Sequence, residues 1–257
     1  MIVNEMNNPK VSIIIATYNS EMTLRTALES VHSQEFQDWE CIIVDGMSKD
    51  DTINIVKEYE TNDSRFLHIS EPDKGIYDAF NKGWKMAKGE WVHYLGDDDR
   101  LTPNGIKDLL QVANLDSVEI VSGHCYIEKL DGSLKENRSY GFFGCHQGKL
   151  TRRSTLERFD GFNEQYPVLA DKELLLRMEN AGVKIVNVNT FVAYFSMTGM
   201  SQSMSGLWKR TKEFSKVYRE NSIKHPYIKS FKYLCLSFLS ITYRKVRSIF
   251  KLSAKRI

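Results

Sequence analysis

The sequence predicts an α/β protein whose mostly parallel sheet is covered by helices on both faces. Residues 11–16 and 39–44 form continuous apolar runs, which are typical of strands buried on both faces of a parallel sheet. Segments with helical spacing separate successive runs, and this alternation implies right-handed crossovers between parallel strands. The 257 residues, of which 42% are hydrophobic and 26% charged, suffice for one large domain or for a domain with an appendage.

The first half of the chain predicts seven elements, with polar residues after the strands. In order, the elements are a strand at 11–16, a helix at 20–33 that Ser20 caps, a strand at 39–44, a helix at 49–59, a strand at 66–69, a helix at 76–87 and a strand at 91–95. Tyr18, Asp45 and Asp73 lie at the carboxyl ends of strands. Because ligands bind at that edge in open α/β sheets, we expect these polar residues to share one site.

The second half of the chain predicts two helices, a hairpin and late strands. Thr102 and Pro103 are typical of a helix start, and this helix continues to residue 113. Residues 118–121 predict a strand, and residues 125–130 with the following Asp-Gly turn predict a hairpin or edge extension. Residues 170–181 predict a helix, and 183–188 and 191–195 predict two late strands.

Three consecutive carboxylates, Asp97, Asp98 and Asp99, follow the strand at 91–95 and form the acidic triplet. Two unit charges about 4 Å apart repel each other by roughly 4 kcal/mol at an effective dielectric constant near 20. Crowding at the end of a buried strand therefore destabilises the fold unless a cation or strong hydrogen-bond donors compensate it. Mg²⁺ and Mn²⁺ prefer oxygen ligands, which favours a metal site. The alternative is a solvated acidic turn.

Five segments resemble, in the same order, the inverting nucleotide-sugar-dependent glycosyltransferases of family 2, which have the GT-A fold. They are VSIIIATYN at 11–19, IIVDG with SKDDT at 42–52, EPDKGIYD with NKG at 71–83, GEWVHYLGDDD at 89–99 and ADKELLLR at 170–177. Each motif is weak alone, but five in register over residues 10–200 are specific. The chain looks closest to the branch that makes bacterial capsule, lipopolysaccharide or exopolysaccharide.

The resemblance implies a donor site for a UDP- or GDP-linked sugar at the predicted edge of the sheet. Tyr18 would stack on the base, Asp45 would accept a hydrogen bond from a uracil-type imide, and Lys74 would approach the diphosphate. The expected donor-binding set is Thr17, Tyr18, Asn19, Asp45, Asp73, Lys74, Asn81, Asp97 and Asp98.

Within the acidic triplet, the resemblance implies a divalent cation, Mn²⁺ or Mg²⁺, that neutralises the leaving diphosphate. We assign Asp99 to the metal, Asp98 to the ribose or the metal, and Asp97 to their support. The family's commoner motif begins with Asp where this chain has Gly96, so the assignment within the triplet stays open.

The resemblance also implies that Asp171 is the general base. Direct displacement at an anomeric carbon needs one carboxylate to take the proton of the acceptor hydroxyl. The alternative for Asp171 is an acid favoured by the macrodipole at a helix start. Glu173 is the second choice for the base, and Arg177 is expected to pair with an acid in the first helical turn.

An acceptor or diphosphate contact is expected from His146, Gln147 and Arg153, with packing and surface charge as the alternative. The acceptor itself is expected to be a glycan, in particular a lipid-linked one. Together these expectations describe a metal-dependent, inverting hexosyltransferase whose catalytic domain covers residues 1–205.

Residues 206–257 predict a basic helical extension with a partner of its own. They contain 14 basic and 2 acidic residues, whereas the chain up to Ser205 contains 21 basic and 31 acidic ones. A basic segment that also carries aromatic and aliphatic side chains is expected to bind an anionic membrane surface. The alternative is a helix that packs on the catalytic domain or in a homodimer. No motif favours nucleic-acid binding.

A location on the inner face of the membrane, in the cytoplasm, is expected from three observations. The first ten residues lack a hydrophobic signal core, and no apolar run reaches the roughly 20 residues that cross a bilayer. The four cysteines, Cys41, Cys125, Cys145 and Cys235, form no C-x-x-C pair and are expected to be reduced thiols.

Other functions fit the sequence less well. A sugar-nucleotide nucleotidyltransferase usually carries a glycine-rich, basic phosphate loop after its first strand, and residues 16–20 (ATYNS) provide neither feature. A non-catalytic nucleotide-sugar-binding subunit would need no base, so Asp171 counts against it. A Rossmann dehydrogenase is disfavoured because no G-x-G-x-x-G motif follows the first strand.

Overall fold

The computed structural model describes residues 8–113, 115, 117–129, 131–139, 141, 144–196 and 204–221, and the structural statements below refer to these residues. The chain divides into two units, Met1–Thr198 and Gly199–Ile257. The sheet and the first six helices belong to the first unit.

The first unit alternates strands and helices as predicted. Its strands are β1 Val11–Thr17, β2 Trp39–Asp45, β3 Phe66–Ser70, β4 Trp91–Gly96, β5 Arg100–Leu101, β6 Ile120–Glu128, β7 Leu134–Asn137, β8 Lys149–Arg152 and β9 Ile185–Ser196. Its helices are α1 Leu24–His32, α2 Thr52–Asn62, α3 Ile76–Met86, α4 Gly105–Ala113, α5 Arg153–Phe159 and α6 Ala170–Asn180, with a short 3₁₀ helix at His146–Gly148.

The four strands β3, β2, β1 and β4 lie side by side in this order and are parallel. The chain therefore builds the sheet outward from β1 in one direction and then returns to add β4 on its other side. Thr17 pairs with Asp45, and Ala16 pairs with Gly96, so the carboxyl ends of β1, β2 and β4 are level. Such a reversal leaves a crevice at the carboxyl ends, which is where the polar residues were predicted to meet.

The core explains why these strands are continuous apolar runs. All seven residues of β1 and all seven of β2 are buried, because helices cover both faces of the sheet. Ile13 and Ile43 are completely buried, and each such side chain contributes about 1.5–3 kcal/mol by leaving water. Helix α3 lies close to the sheet at Gly83, where a Cβ atom would come within 2.4 Å of Ile14 Cγ2.

The remaining strands make the sheet mixed. Strand β8 runs antiparallel to both β4 and β6, whereas β6 and β9 are parallel. Strands β6 and β7 form the predicted hairpin. The two late strands predicted at 183–188 and 191–195 are the single strand β9, whose pairing with β6 is irregular near His124.

Three predicted helix starts are wrong. Helix α2 begins at Thr52 instead of residue 49, and in the other two helices the capping side chains bind elsewhere. Helix α1 begins at Leu24 instead of Ser20, since the Ser20 hydroxyl donates to Asp97. Helix α4 begins at Gly105 instead of Pro103, since Thr102 Oγ1 donates across the sheet to Phe191 O at 2.8 Å. In both cases a tertiary hydrogen bond replaces the expected local one.

The cysteine prediction is also wrong in part. Cys125 and Cys145 form a disulfide with their Cα atoms 6.2 Å apart, whereas Cys41 is a buried free thiol. The disulfide ties β6 to the segment just before the 3₁₀ helix. Cys235 lies outside the described residues.

The second unit contributes one described helix, α7 at Met204–Glu220. The remainder of the predicted basic extension, residues 222–257, lies outside the described residues. Within the described part of the chain, no helix is both long and apolar enough to cross a bilayer.

Candidate active site

The loops after β1 and β2 are braced against each other by Asn19. Its backbone N–H donates to Ser48 Oγ at 2.8 Å, and its Oδ1 accepts from the backbone N–H of Lys49 at 2.8 Å. Asn19 has a left-handed backbone with a φ of 51°, which Asn tolerates better than most residues. The structure thus gives Asn19 a loop-holding role at the predicted edge.

Asp45 ends β2 and is completely buried. Its carboxylate accepts hydrogen bonds from the Ser48 backbone N–H at 3.0 Å and from Ser70 Oγ at 2.5 Å. It therefore joins the ends of β2 and β3. Met47, two residues on, has a left-handed φ of 64° and is 51% exposed, so its side chain lies at the surface of the same loop.

Tyr18 and Asp73 meet at Gly46. A Cβ atom on Gly46 would lie 2.5 Å from Asp73 Oδ2 and 3.4 Å from Tyr18 Cδ2. A larger residue at this point would displace the Asp73 carboxylate from its present position. Tyr18 is 58% exposed, which is unusual for a tyrosine ring beside a buried strand end and suits a stacking surface. The loops after β1, β2 and β3 therefore converge as predicted.

The acidic triplet follows β4 on the other side of β1. Ser20 Oγ donates to Asp97, so the loop after β1 also holds the triplet. Asp99 is 3% exposed, and both of its carboxylate oxygens are occupied. Oδ1 accepts from the Ser196 backbone N–H at 2.8 Å, and Oδ2 accepts from Gln147 Nε2 at 2.7 Å.

The triplet is electrostatically strained in the way that its sequence predicts. Burial, followed by the charge of Asp98, raises the pKa of Asp99 to about 7. Burial and the same neighbour also raise the pKa of Asp97. Among the described residues neither Asp97 nor Asp99 has an ion-pair partner, because the adjacent Arg100 pairs with Glu128 at 2.7 Å. A cation bound here would relieve this repulsion.

Gly96 makes room for the triplet. A Cβ atom at this position would lie 2.6 Å from Asp99 Oδ2 and 3.1 Å from Asp98 Oδ1. Glycine at this position thus leaves space for the carboxylates of Asp98 and Asp99. Asp98 is half-buried, in contrast to Asp99.

Asp171 lies in the first turn of α6 and is half-buried. Its Oδ1 accepts a hydrogen bond from Tyr77 Oη at 3.1 Å. Glu173, the second choice for the base, is 5% exposed and is held by Arg177 Nε at 2.8 and 3.0 Å. This pairing confirms the expected role of Arg177, and the burial of Glu173 keeps its carboxylate from an acceptor.

The 3₁₀ helix at His146–Gly148 connects Asp171 with the triplet. Gln147 donates to Asp99, while the preceding His146 is close enough to Asp171 for that charge to act on its ring. His146 stacks on Tyr94 with centroids 5.3 Å apart. Burial lowers the pKa of His146 to about 4, so the ring is neutral near pH 7. The adjacent residues His146 and Gln147 therefore lie next to Asp171 and Asp99, respectively.

A buried lysine fixes this short helix. Lys149 is 4% exposed, and its amine donates to the backbone oxygens of Gly144 at 2.6 Å and Cys145 at 2.9 Å. Burial lowers the pKa of Lys149 to about 7. A cavity of about 20 Å³, which is room for about one water molecule, is lined in part by His146, Lys149 and Asp171.

Two expected contact residues have structural roles instead. Asn81 is 5% exposed, and its amide bonds Phe162 O at 2.8 Å and Trp84 Nε1 at 3.0 Å, so it links α3 to the segment before α6. Arg153 donates to Gly89 O at 3.1 Å and pairs with Glu157. Gly89 precedes β4, so Arg153 lies at the opposite edge of the sheet from the triplet, and its assignment to the site is wrong.

The structure changes the interpretation of two more residues, Thr17 and Lys74, that were predicted to bind the nucleotide-sugar. Thr17 is 4% exposed, which makes it part of the strand end beneath the loops. Lys74 extends into solvent with 82% of its side chain exposed, and its amine lies 3.6 Å from Glu164. It remains available to a diphosphate because such an exposed ion pair contributes little.

Sequence reasoning missed Ser20, Ser196 and Tyr77. Ser20 was assigned to a helix cap, although it directly follows the first of the five motifs. Ser196 donates its backbone N–H to Asp99, a contact that no residue type signals in a sequence. Tyr77 lies inside the third motif, but it is 94 residues from Asp171 in the chain, so the sequence gives no signal of their contact.

Comparisons with known proteins agree with this geometry. A relative from Campylobacter jejuni, the GalNAc(5)-diNAcBac-PP-undecaprenol beta-1,3-glucosyltransferase, is 35% identical over 133 residues, which is 51% of this chain and 42% of that relative. The chain thus spans less than half of that protein's length.

Two solved structures share the fold. TarS 1–349 from S. aureus, in complex with UDP-GlcNAc, has a TM-score of 0.69 at 19% identity over 89% of this chain and 71% of that one. The mannosyltransferase PcManGT from Pyrobaculum calidifontis, in complex with GDP-Man and Mn²⁺, has a TM-score of 0.69 at 14% identity over 97% of this chain and 81% of that one. These likenesses confirm the predicted fold.

The family model described as Glycosyl transferase family 2 matches residues 12–205, which include β1 from its second residue, the acidic triplet and Asp171. The match covers most of the chain and confirms the resemblance seen in its five motifs. The chain belongs to glycosyl transferase family 2.

Proposed function

We propose that this protein transfers a sugar from a nucleotide-sugar to an acceptor hydroxyl, with inversion at the anomeric carbon and with a divalent cation. One observation carries the proposal: the acidic triplet and Asp171 flank the same short helix, with Gln147 bonded to Asp99 and His146 beside Asp171. The reaction needs both groups, one to receive the diphosphate and the other to receive the acceptor's proton.

The acidic triplet fits a divalent cation whose remaining ligands come from the phosphates of the donor. Within the described ranges, no three His, Cys, Asp or Glu side chains form a full metal site. Mg²⁺ and related ions are commonly held by one or two carboxylates together with substrate phosphates. Asp98 is the better candidate ligand, because it is half-buried whereas Asp99 is 3% exposed, so a donor phosphate reaches Asp98 more easily. The bound ion would supply charge for the leaving diphosphate.

Asp171 would act on the acceptor. The O–H bond of the acceptor breaks as its proton passes to the carboxylate, and the acceptor oxygen forms a bond to the anomeric carbon. The bond from that carbon to the diphosphate breaks, and its electron pair leaves with the nucleoside diphosphate. A single displacement inverts the anomeric carbon and needs only one base.

The donor's base would lie on Tyr18, whose exposed ring stands beside Gly46 and Asp73. Asp45 would bind the base edge if Ser70 Oγ yields its place on the carboxylate. For the acceptor we infer a lipid-linked glycan, which the name of the Campylobacter jejuni relative supports.

Calorimetric titration with UDP and GDP tests the donor site. We expect one of them to bind at least about tenfold more tightly with Mn²⁺ than with EDTA, a difference of about 1.4 kcal/mol. CDP serves as the control, because its base presents no imide N–H to Asp45. Equal affinity with Mn²⁺ and with EDTA would contradict the metal assignment, and equal binding of all three nucleotides would contradict the base site.

We further propose that the basic extension binds an anionic membrane surface and keeps the protein near a lipid-linked acceptor. Residues 206–257 contain 14 basic against 2 acidic residues. Each basic residue close to such a surface contributes about 1 kcal/mol, and salt screens this attraction.

Replacement of Arg244, Lys245 and Arg247 by Gln should therefore reduce cosedimentation with phosphatidylglycerol vesicles at least about tenfold. About 0.5 M salt should have a similar effect on the unchanged protein. The matched control removes three exposed lysines of the first unit, Lys57, Lys85 and Lys88, and should bind vesicles as the unchanged protein does. Binding that resists both the Gln variant and salt would contradict electrostatic attachment through the extension, and no vesicle binding by the unchanged protein would favour an extension that packs on protein.

A further inference from the structure

Tyr77 joins the first turn of α3 to the first turn of α6. Its hydroxyl lies 3.1 Å from Asp171 Oδ1 and 3.2 Å from the backbone oxygen of Val168. Its ring packs against Phe162, with centroids 5.2 Å apart, and against Phe80 at 6.3 Å. The sequence separation between Tyr77 and Asp171 is 94 residues, so this contact exists only in the folded protein.

The ring contacts fix where the hydroxyl lies. Phe162 is 3% exposed and Phe80 is 4% exposed, and both belong to one aromatic group with Tyr94. Asn81 holds the backbone of Phe162 from α3 through two hydrogen bonds, at 2.8 and 2.9 Å. The hydroxyl of Tyr77 is therefore presented to Asp171 by a packed and hydrogen-bonded support, and little entropy is lost when it donates.

We propose that Tyr77 is a positioning residue for Asp171, which orients the carboxylate so that Oδ2 takes the acceptor's proton. This inference rests on the proposed function, in which Asp171 is the base. Oδ1 already accepts from Tyr77, and within the described residues no hydrogen bond to Oδ2 occurs. Fixing one oxygen fixes the plane of the carboxylate and thus the direction of the other.

The Tyr77 hydroxyl has two acceptors within reach, the carboxylate of Asp171 and the carbonyl of Val168. A phenol has one O–H to donate. A hydrogen bond to a carboxylate is roughly twice as strong as one to a neutral acceptor. The hydroxyl therefore donates to Asp171 and holds the orientation of its carboxylate before the acceptor binds.

The Tyr77→Phe variant tests this role, because it keeps the ring and removes only the hydroxyl. We expect kcat to fall about 10- to 100-fold, as for loss of a hydrogen bond to a charged group. The affinity for UDP with Mn²⁺, measured by calorimetry, should stay within about twofold, since the base does not touch the nucleotide in the proposed reaction.

Tyr59→Phe is the matched control. Tyr59 Oη likewise lies near a carboxylate oxygen, Glu29 Oε2 at 3.2 Å, and a backbone oxygen, that of Arg25 at 3.4 Å. Its ring packs against Phe66 with centroids 5.3 Å apart. The control removes the same kind of hydroxyl away from the triplet and Asp171, and it should leave kcat unchanged.

A double-mutant cycle separates positioning from a general structural effect. If Tyr77 acts through Asp171, Tyr77→Phe should cause no further loss in the Asp171→Asn background. The inference is overturned if kcat of the single variant stays within twofold, or if the same 10- to 100-fold loss recurs in the Asp171→Asn background. Should Asp171→Asn itself retain full activity, the proposed base would fail, a result distinct from a failure of Tyr77.

Discussion

Asp171→Asn is expected to lower kcat by about 10²–10⁴-fold, the usual contribution of a general base. The substitution keeps the size of the side chain and still lets Tyr77 Oη donate to Oδ1 at 3.1 Å. Only the ability to take a proton is lost. Affinity for the nucleoside diphosphate with Mn²⁺ should stay within about twofold of the unchanged protein.

Release of nucleoside diphosphate in the presence of acceptor gives the rate, and calorimetry gives the affinity. Asp108→Asn is a matched control, because Asp108 is also an acid in the first turn of a helix and accepts a hydroxyl hydrogen bond, from Thr190 at 2.7 Å. If Asp171→Asn retained activity within tenfold of the unchanged protein, Asp171 would be only a helix-start acid, which was the structural alternative for this residue.

Asp98→Asn is expected to abolish the increase in nucleoside diphosphate affinity that Mn²⁺ causes, and to lower kcat at least about 100-fold. Removal of one group that stabilises the charge of a transition state, such as an oxyanion-hole donor, costs about 2.7–4 kcal/mol, and we expect a loss of similar size here. An amide oxygen carries no net charge and would hold the cation far less tightly. The ratio of affinities with Mn²⁺ and with EDTA should therefore approach one.

Asp99→Asn supplies the comparison. In the unchanged protein, the two carboxylate oxygens of Asp99 accept hydrogen bonds from Ser196 and Gln147. The NH₂ group of Asn cannot accept a hydrogen bond, so the substitution should disturb the loop and lower the unfolding temperature. The Mn²⁺ effect on nucleotide affinity should nevertheless persist. If Asp99→Asn abolished the Mn²⁺ effect while Asp98→Asn retained it, the metal would belong to Asp99, as the sequence alone suggested.

The sequence was sufficient for the framework of this protein. Continuous apolar runs are local signals, and they located β1, β2 and β4 within one residue of each end. The order of strands and helices then required parallel strands, whose carboxyl ends must meet at one edge. The convergence of Tyr18, Asp73 and the acidic triplet near that edge therefore follows from the order of the elements along the chain.

Strand direction in the second half could not be predicted, and Arg153 shows the consequence. The residues of β8 give no signal of whether they run with or against β4. Because β8 is antiparallel to β4, with Arg152 opposite Trp91, the next residue lies at the amino end of β4. Arg153 is thus carried away from the site that its position in the chain suggested.

Hydrogen-bond partners distant in sequence decided the remaining roles. Asp97, Asp98 and Asp99 are equivalent in composition, and only the arrival of Gln147 and Ser196, 48 and 97 residues further on, turns Asp99 inward. Tyr77 likewise meets Asp171 only when α3 and α6 pack near Phe162. The sequence by itself determined the parallel strands, the edge of the sheet at their carboxyl ends, and the polar and acidic residues that lie at this edge. The tertiary structure decided the surroundings of each carboxylate, because the donors that reach Asp99 and Asp171 come from segments distant in sequence.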